Sequence, residues 1–285
     1  MDFLRKKASR WLKKKRRQFA LRCRRINWQN RNLPDFVILG AHKAGTTSLY
    51  FYLRQHPQLT TSIKKEVHFF DGGLNPAIDN YQKGEAWYRA HFPIRQMSNP
   101  RQKVFEASPL YLFNPLVPLR MSTLMPDAKL IVLLRNPRER AISHYFHGTR
   151  KDREPLPILE AFQREEERLQ CVIENEDYKN LAFRWYSYKR RGVYHEQIKR
   201  YLEHFSFHNL LALSSERFFA NPAATLKQVY EFVGVDPAYT VQDLQPRNTG
   251  GNKIEIEPAV YEYLDAYFHP HNRALYELLG HNYGW

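Results

Sequence analysis

Two glycines separated by four residues follow a short apolar segment near the start of the chain. Residues 36–39 read Phe-Val-Ile-Leu, and Gly40 and Gly45 bracket a loop that leads into Thr46. Glycine lets the backbone turn tightly, so successive N–H groups can point at an anion that also lies at a helix N-terminus. The pattern predicts a strand, a phosphate-binding loop and a helix. An ordinary strand-to-helix turn is the alternative.

The position of the loop lysine distinguishes this pattern from a loop that binds nucleoside triphosphates. In such a loop the lysine follows the second glycine and reaches along the triphosphate. Here Thr46 takes that place and Lys43 lies inside the loop. A lysine at that position lies near a single terminal phosphate and the group bonded beside it. The displacement therefore argues against a triphosphate as the ligand.

A second informative segment follows the apolar run 129–134. This run predicts a buried strand. Pro137 suits the first turn of a helix, and Arg135 stands just before it. A triphosphatase commonly has an acidic residue there to hold Mg²⁺, whereas a guanidinium repels Mg²⁺ and attracts a further phosphate. Ser143 follows about two helical turns later. Because this strand should lie beside the first strand, the residues after both strands predict one site for two separate phosphates. The alternative is that Arg135 is a surface arginine and Ser143 a solvated serine.

The elements that must position these residues alternate along the chain. Strands are predicted at 36–39, 103–106, 129–134 and 209–213. Helices are predicted at 46–55, 115–125, 137–149, 158–170, 192–204, 222–233 and 258–279. This alternation predicts an α/β fold, with a mostly parallel central sheet flanked by helices. Ligands of such sheets bind beyond the carboxyl ends of the strands, where Lys43 and Arg135 both lie.

These residues resemble the sulfotransferase family that uses 3′-phosphoadenosine 5′-phosphosulfate (PAPS) as sulfuryl donor, and most closely its heparan-sulfate-type and bacterial carbohydrate branch. The resemblance covers about residues 34–285 and implies the P-loop-like sulfotransferase fold. It implies that Arg135 and Ser143 bind the 3′-phosphate of the donor. The 5′-phosphosulfate is then bound by the loop residues Lys43, Ala44, Gly45, Thr46, Thr47 and Ser48. Further matching segments are 65–71, 87–88, 106–111, 191–194 and 267–285.

Segment 65–71 resembles the one that carries the catalytic glutamate in the heparan-type branch. Glu66 is therefore predicted to be the general base that takes the proton of the acceptor during in-line attack. Lys43 is predicted to stabilise the charge of the leaving nucleotide, assisted by N–H groups and by the hydroxyls of residues 46–48. If the segment is extended, His68 lies on the same side as Glu66, where it orients Glu66 or the acceptor, or serves as an alternative base. A surface pair of the two side chains is the alternative.

The resemblance also implies contacts with the rest of the donor. Tyr194 is the predicted contact of the adenine, with simple packing as the alternative. Gly251, Asn252 and Lys253 are predicted to close over the 3′-phosphate. No metal is expected, because lysine, arginine and helix N-termini already provide cationic partners for two phosphates.

Two departures from the family pattern concern the acceptor. Ala107 stands where heparan-type members usually have a lysine, and residues 247–253 lack the usual cysteine. A carbohydrate or glycan remains the favoured acceptor, but heparan sulfate itself is disfavoured. A lipid-linked sugar and a small-molecule hydroxyl are the alternatives. Region 150–190 is highly charged and has no clear period. One hypothesis is that it covers the acceptor site.

The net charge of +15 on these 285 residues is concentrated at the N-terminus. Twelve Lys or Arg residues within residues 1–25 face only Asp2, which gives this segment a side-chain charge of +11. Residues 1–31 are predicted to be a basic arm, and residues 32–285 a single sulfotransferase domain. The spacing of the arm's apolar residues favours an amphipathic helix at an anionic membrane surface. A solvated tail and nucleic-acid contact are the alternatives.

Composition also bears on location and on rival functions. Cys23 and Cys171 do not indicate a disulfide framework, and no apolar run approaches the length of a membrane span or a secretion signal. A cytoplasmic enzyme, peripheral at the membrane through its arm, is therefore predicted. One rival is a P-loop kinase of a small molecule or nucleotide, which would require ATP and Mg²⁺. The other is a non-enzymatic membrane- or nucleic-acid-binding module.

Overall fold

A computed structural model describes residues 15–16, 18–95, 101–247 and 255–285. Its strands form one five-stranded sheet in the order β2-β3-β1-β4-β5, and every neighbouring pair is parallel. The strands are β1 (Phe36–Gly40), β2 (Leu59–Thr61), β3 (Lys103–Ala107), β4 (Lys129–Leu134) and β5 (Leu210–Ser214). The predicted α/β fold with a parallel central sheet is confirmed.

Helices connect and flank these strands. Their bounds are Thr46–Leu53, Gly84–Arg89, Val117–Leu124, Pro137–Thr149, Ile158–Gln163, Glu165–Glu174, Leu181–Tyr186, Tyr194–Leu202, Ser215–Ala220, Pro222–Val233 and Pro258–Leu279. Each helix predicted from the sequence has a counterpart, and 137–149, 222–233 and 258–279 have the predicted bounds. The prediction of a single helix over 158–170 was wrong, because the chain breaks at Arg164 into two helices. The three helices that were not predicted have six residues each, too few to show a helical period.

β1 and β4 lie at the centre of the sheet because their residues are apolar on both faces. All five residues of β1 are buried, as are all residues of β4 after Lys129. Such continuous apolar runs are typical of parallel strands covered on both faces. The pairing of Gly40 with Val132 brings the carboxyl ends of the two strands together. The loop after Gly40 therefore begins next to the end of β4.

The end of the basic N-terminal segment contacts the body of the protein. Residues 18–24 are helical, and the guanidinium of Arg24 donates a hydrogen bond to the carbonyl of Ala90 at 2.7 Å. Arg31 donates to the carbonyl of Phe92 at 3.0 Å. The predicted membrane contact through residues 1–25 falls largely outside the described residues and stays a prediction. In the part of the chain that the structure describes, every helix is too short or too polar to cross a bilayer.

Candidate active site

The glycine-bracketed loop has the backbone geometry that its sequence predicts. Gly45 has a φ of 95°, in the left-handed region that favours glycine, and the helix Thr46–Leu53 begins at the next residue. Because Gly45 has no side chain, it cannot cap the helix by accepting a bond from a first-turn N–H group. The helix therefore begins as an anion-binding site formed by backbone N–H groups.

Contacts from the residues that directly follow β4 and β5 hold the loop in place. The guanidinium of Arg135 donates to the carbonyl oxygen of Lys43 at 3.1 Å, and the hydroxyl of Ser215 donates to that of Ala44 at 2.8 Å. Burial lowers the pKa of Lys43, and the nearby charges of Arg150 and Arg135 lower it further. The structure thus brings Lys43 and Arg135 together, as predicted, in strongly cationic surroundings that favour an anionic ligand.

Ser143 lies half-buried in the helix Pro137–Thr149, which follows Arg135 directly. The side chain of Asn136 caps this helix by accepting hydrogen bonds from the N–H groups of Arg138 and Glu139 at 3.0 and 3.3 Å. Pro137 occupies the first turn, as its position in the sequence predicts. The cap fixes the start of the helix beside the end of β4. Ser143 therefore lies about two helical turns beyond Arg135.

Ser48 connects the loop helix to a remote part of the chain. Its hydroxyl is fully buried, accepts a hydrogen bond from the N–H of Arg247 at 2.8 Å and lies 3.4 Å from the carbonyl of the same residue. This contact brings the chain to the phosphate-binding loop just before residues 248–254. Gly251, Asn252 and Lys253 lie outside the described residues, and their contact with the 3′-phosphate stays a prediction.

Tyr194 lies beneath the end of β4. Its ring is 1% exposed, and its hydroxyl donates to the carbonyl oxygen of Arg135 at 2.9 Å. Burial raises the pKa of Tyr194 to about 12, so the phenol stays protonated as a donor. Tyr194 therefore supports the backbone of a predicted phosphate-binding residue. Its contact with adenine stays a prediction.

Glu66 and His68 meet, although their segment is not extended as the prediction assumed. Their φ angles are 63° and 56°, in the left-handed region. Nε2 of His68 nevertheless lies 3.5 Å from Oε2 of Glu66. The ammonium of Lys65 donates to the other oxygen of Glu66 at 2.5 Å. Glu66 thus has a cationic neighbour at each carboxylate oxygen.

Asp71 completes this group and was missed by the sequence reasoning. Its Oδ2 lies 2.7 Å from Nδ1 of His68, and both side chains are buried. Burial by itself would lower the pKa of His68, but Asp71 and Glu66 together raise it to about 9. Burial would likewise raise the pKa of Glu66, but His68 and Lys65 lower it to about 2. The one available signal was the spacing Glu-x-His-x-x-Asp in residues 66–71.

Buried hydrogen bonds from the end of β3 fix the backbone of this segment. The N–H of Glu66 donates to the carbonyl of Ala107 at 3.1 Å, and that of Phe69 donates to the hydroxyl of Tyr111 at 2.8 Å. The Tyr111 hydroxyl in turn donates to the fully buried carboxyl of Glu106 at 2.9 Å. Tyr88 and Ser108 also donate to Glu106, at 2.5 and 2.7 Å. Glu106 is therefore the centre of a polar network that supports the loop.

Part of the charged region 150–190 packs over the loop that follows Asp71. Lys179 donates to the carbonyl oxygens of Gly72 and Gly73 at 2.7 and 2.6 Å, and Arg184 donates to that of Leu74 at 2.7 Å. A pocket between the two segments is lined by Asp71, Leu74, Lys179 and Arg184, among others. The charged region thus forms one wall of a cleft that adjoins Asp71.

Comparison with known proteins gives concordant matches. A family model of the sulfotransferase domain matches residues 33–262. Heparan sulfate glucosamine 3-O-sulfotransferase 3B1 of Homo sapiens is 29% identical, over 90% of this chain and 66% of its own length. Heparan sulfate glucosamine 3-O-sulfotransferase 6 of Mus musculus is 30% identical, over 90% and 74%. The crystal structure of a sulfotransferase from Alicyclobacillus acidocaldarius matches with a TM-score of 0.71 and 33% identity, over 87% of this chain and 96% of that chain.

Proposed function

Because the chain belongs to the sulfotransferase domain family and is therefore an enzyme of that class, we propose that it transfers a sulfuryl group from PAPS to a hydroxyl or amine of a carbohydrate acceptor. The observation that carries the proposal is the contact of the Arg135 guanidinium with the carbonyl of Lys43. This contact places Arg135 next to Lys43 and the uncapped N-terminus of the helix Thr46–Leu53, at the carboxyl ends of β1 and β4. This combination suits a ligand with two separate phosphates.

The proposal assigns the donor contacts by resemblance to the family. Lys43, the N–H groups of Thr46, Thr47 and Ser48 and the hydroxyls of Thr46 and Thr47 hold the phosphosulfate end, while Arg135 and Ser143 hold the 3′-phosphate. Bound PAPS supplies the sulfuryl group and a nucleotide as leaving group. Lys43 stabilises the negative charge that develops on the bridging oxygen. Because burial and the neighbouring cations disfavour the charged ammonium of Lys43, an anionic ligand stabilises it.

Glu66 takes the proton of the acceptor. Its carboxylate is ionised at neutral pH, and the protonated ring of His68 orients it, with Asp71 fixing the ring from the other side. A carboxylate with a pKa of about 2 is a weak base. An acceptor hydroxyl that replaces Lys65 at Oε1 of Glu66 removes one stabilising cation and thereby raises the basicity of Glu66. Lys65 then becomes available to the transferred group.

A carbohydrate acceptor is supported by the relatives, several of which are named as heparan sulfate sulfotransferases. The cleft beside Asp71 presents the cations Lys179 and Arg184 next to the catalytic group. Ala107 stands in place of the lysine usual in the heparan-type branch, which favours a different glycan. The chain spans 66% of the length of the human 3B1 relative.

Calorimetric titration with 3′,5′-ADP, 5′-ADP, and ATP with Mg²⁺ tests the donor. We expect 3′,5′-ADP to bind most tightly, and Arg135→Ala to weaken its binding at least tenfold through loss of a charged phosphate contact. Arg138→Ala is the matched control, because Arg138 lies three residues away and pairs with Asp265 at the surface. A preference for ATP with Mg²⁺ would instead support the kinase and overturn the proposal.

A further inference from the structure

Three side chains with metal-binding atoms, none of them part of the loop or of the Glu66 group, lie close together. His195 and Glu196 lie in the first turn of the helix Tyr194–Leu202, and His271 lies in the long helix Pro258–Leu279. One ligand atom from each residue lies within 4.8 Å of the other two. The two imidazole rings are nearly parallel, 22° apart, with centroids 5.4 Å from each other. Residues from two separate helices thus converge on one point.

A second observation indicates that this group lacks a partner. Nδ1 of His195 is buried, yet within the described ranges it has no hydrogen-bond partner. Buried polar atoms are nearly always satisfied, by protein, water or a bound ion. An imidazole nitrogen without a proton donor offers its lone pair to a metal. Nδ1 of His195 is therefore available to a bound ion.

We propose that His195, Glu196 and His271 bind Zn²⁺, with water in the remaining position. Two imidazoles and a carboxylate are a ligand set typical of zinc, whereas Ca²⁺ and Mg²⁺ prefer oxygen ligands alone. Zn–N and Zn–O bonds of roughly 2.0–2.1 Å place tetrahedral ligand atoms about 3.3 Å apart. Moving from at most 4.8 Å to that spacing requires small side-chain rotations. Glu196 is exposed and free to rotate into place.

The ion is a structural clamp and takes no part in sulfuryl transfer. It connects the start of the helix Tyr194–Leu202 to the helix Pro258–Leu279. Tyr194, the neighbour of His195, holds the carbonyl of Arg135. The second helix begins shortly after residues 248–254, which include the predicted contacts of the 3′-phosphate. The clamp therefore fixes two segments that flank the proposed donor site.

The test uses the full chain, freed of any histidine tag and dialysed against a chelator, and titrates ZnCl₂ by calorimetry. We expect one equivalent to bind, and His271→Ala to weaken binding at least tenfold. His269→Ala is the matched control, because His269 is exposed on the same helix and is not one of the three ligands. Zn²⁺ should raise the unfolding temperature of the wild type and the control by a few degrees, but not that of His271→Ala.

Glu196→Gln provides a second variant should His271→Ala fail to fold. Its side chain is exposed, so substitution leaves the packing intact while removing the carboxylate ligand. The Co²⁺-loaded wild type should show the visible absorption of a tetrahedral site, weakened in Glu196→Gln. Failure of the wild type to bind Zn²⁺, or equal affinity in the wild type and both ligand variants, would overturn the proposal. Because 3′,5′-ADP binding is measured separately, this result is independent of the proposed function.

Discussion

Oε2 of Glu66 lies 3.5 Å from Nε2 of His68, with both residues in the left-handed backbone region. Side chains two residues apart would also share a side in an extended strand, but here the chain turns sharply through both residues. Such φ angles are uncommon outside glycine and persist when the surrounding structure determines them. Here the hydrogen bonds from the N–H groups of this segment to Ala107 and Tyr111 fix the backbone. The carboxylate and the imidazole are therefore held together by the end of β3.

Glu66→Gln should abolish turnover while retaining donor binding. The amide keeps the size of the side chain but cannot accept the proton, and loss of a general base costs about 10²- to 10⁴-fold in rate. Steady-state sulfation and calorimetry with 3′,5′-ADP separate the two effects. Glu231→Gln is the control, since Glu231 pairs with Lys227 on an exposed helix face. Full activity in Glu66→Gln would remove Glu66 from the mechanism.

Asp71→Asn should lower the pKa of His68. Asp71 is the leading cause that raises this pKa to about 9, and burial opposes it. With the charge of Asp71 removed, Glu66 alone opposes the effect of burial, so the ring becomes neutral at a lower pH. Titration of the His68 ring by NMR measures this shift directly. We also expect the alkaline limit of the pH–rate profile to move to lower pH in this variant; an unchanged His68 pKa would contradict the assigned pair.

Stability should fall on the alkaline side because of His68. Its pKa is about 9 in the folded state against about 6.5 when unfolded, so the protonated ring stabilises the fold below pH 6.5 and this contribution is lost as the pH rises through 9. The full contribution is at most about 3 kcal/mol. Glu66 acts in the opposite sense: its contribution is present above pH 4.5 and is lost as the pH falls towards 2.

Urea unfolding of the wild type and of His68→Gln at pH 6 and pH 9 measures the alkaline effect. The difference in unfolding free energy between the two proteins should shrink as the pH rises. A difference that is the same at both pH values would show that His68 is not the titrating group.

Ser48→Ala should weaken both stability and 3′,5′-ADP binding. The substitution removes the acceptor of the N–H of Arg247, a partly buried hydrogen bond that contributes about 0.5–1.5 kcal/mol. It also releases the chain that leads into residues 248–254. Thermal unfolding and calorimetry measure the two effects. Ser122→Ala is the control, because Ser122 is half-buried and its hydroxyl donates to the carbonyl of Leu119 in its own helix; equal behaviour of the two variants would contradict the role of this contact.

Sequence reasoning predicted the central strands and the start of the donor loop because their signals are local. The apolar runs of β1 and β4 require burial on both faces, and Gly45 marks the turn before the helix. β2 was missed because its three residues, Leu-Thr-Thr, are too few to show a period. Asp71 was missed because its contact with His68, three residues away, depends on the left-handed turn of the chain through residues 66 and 68, which the residue types do not reveal.

The sequence by itself determined the parallel α/β sheet, the glycine-bracketed loop before the first helix of the sheet and the residue types available to the site. These properties depend on hydrophobic period and on glycine, whose effects act over a few neighbouring residues. Only the tertiary structure decided that Arg135 bonds to Lys43, that Arg247 bonds to Ser48 and that His68 lies between two carboxylates. Strand order sets the first two contacts, because it brings together residues that are distant in sequence. The contacts of His68 join near neighbours, but they depend on the left-handed backbone and on burial, which together fix the charge of each group.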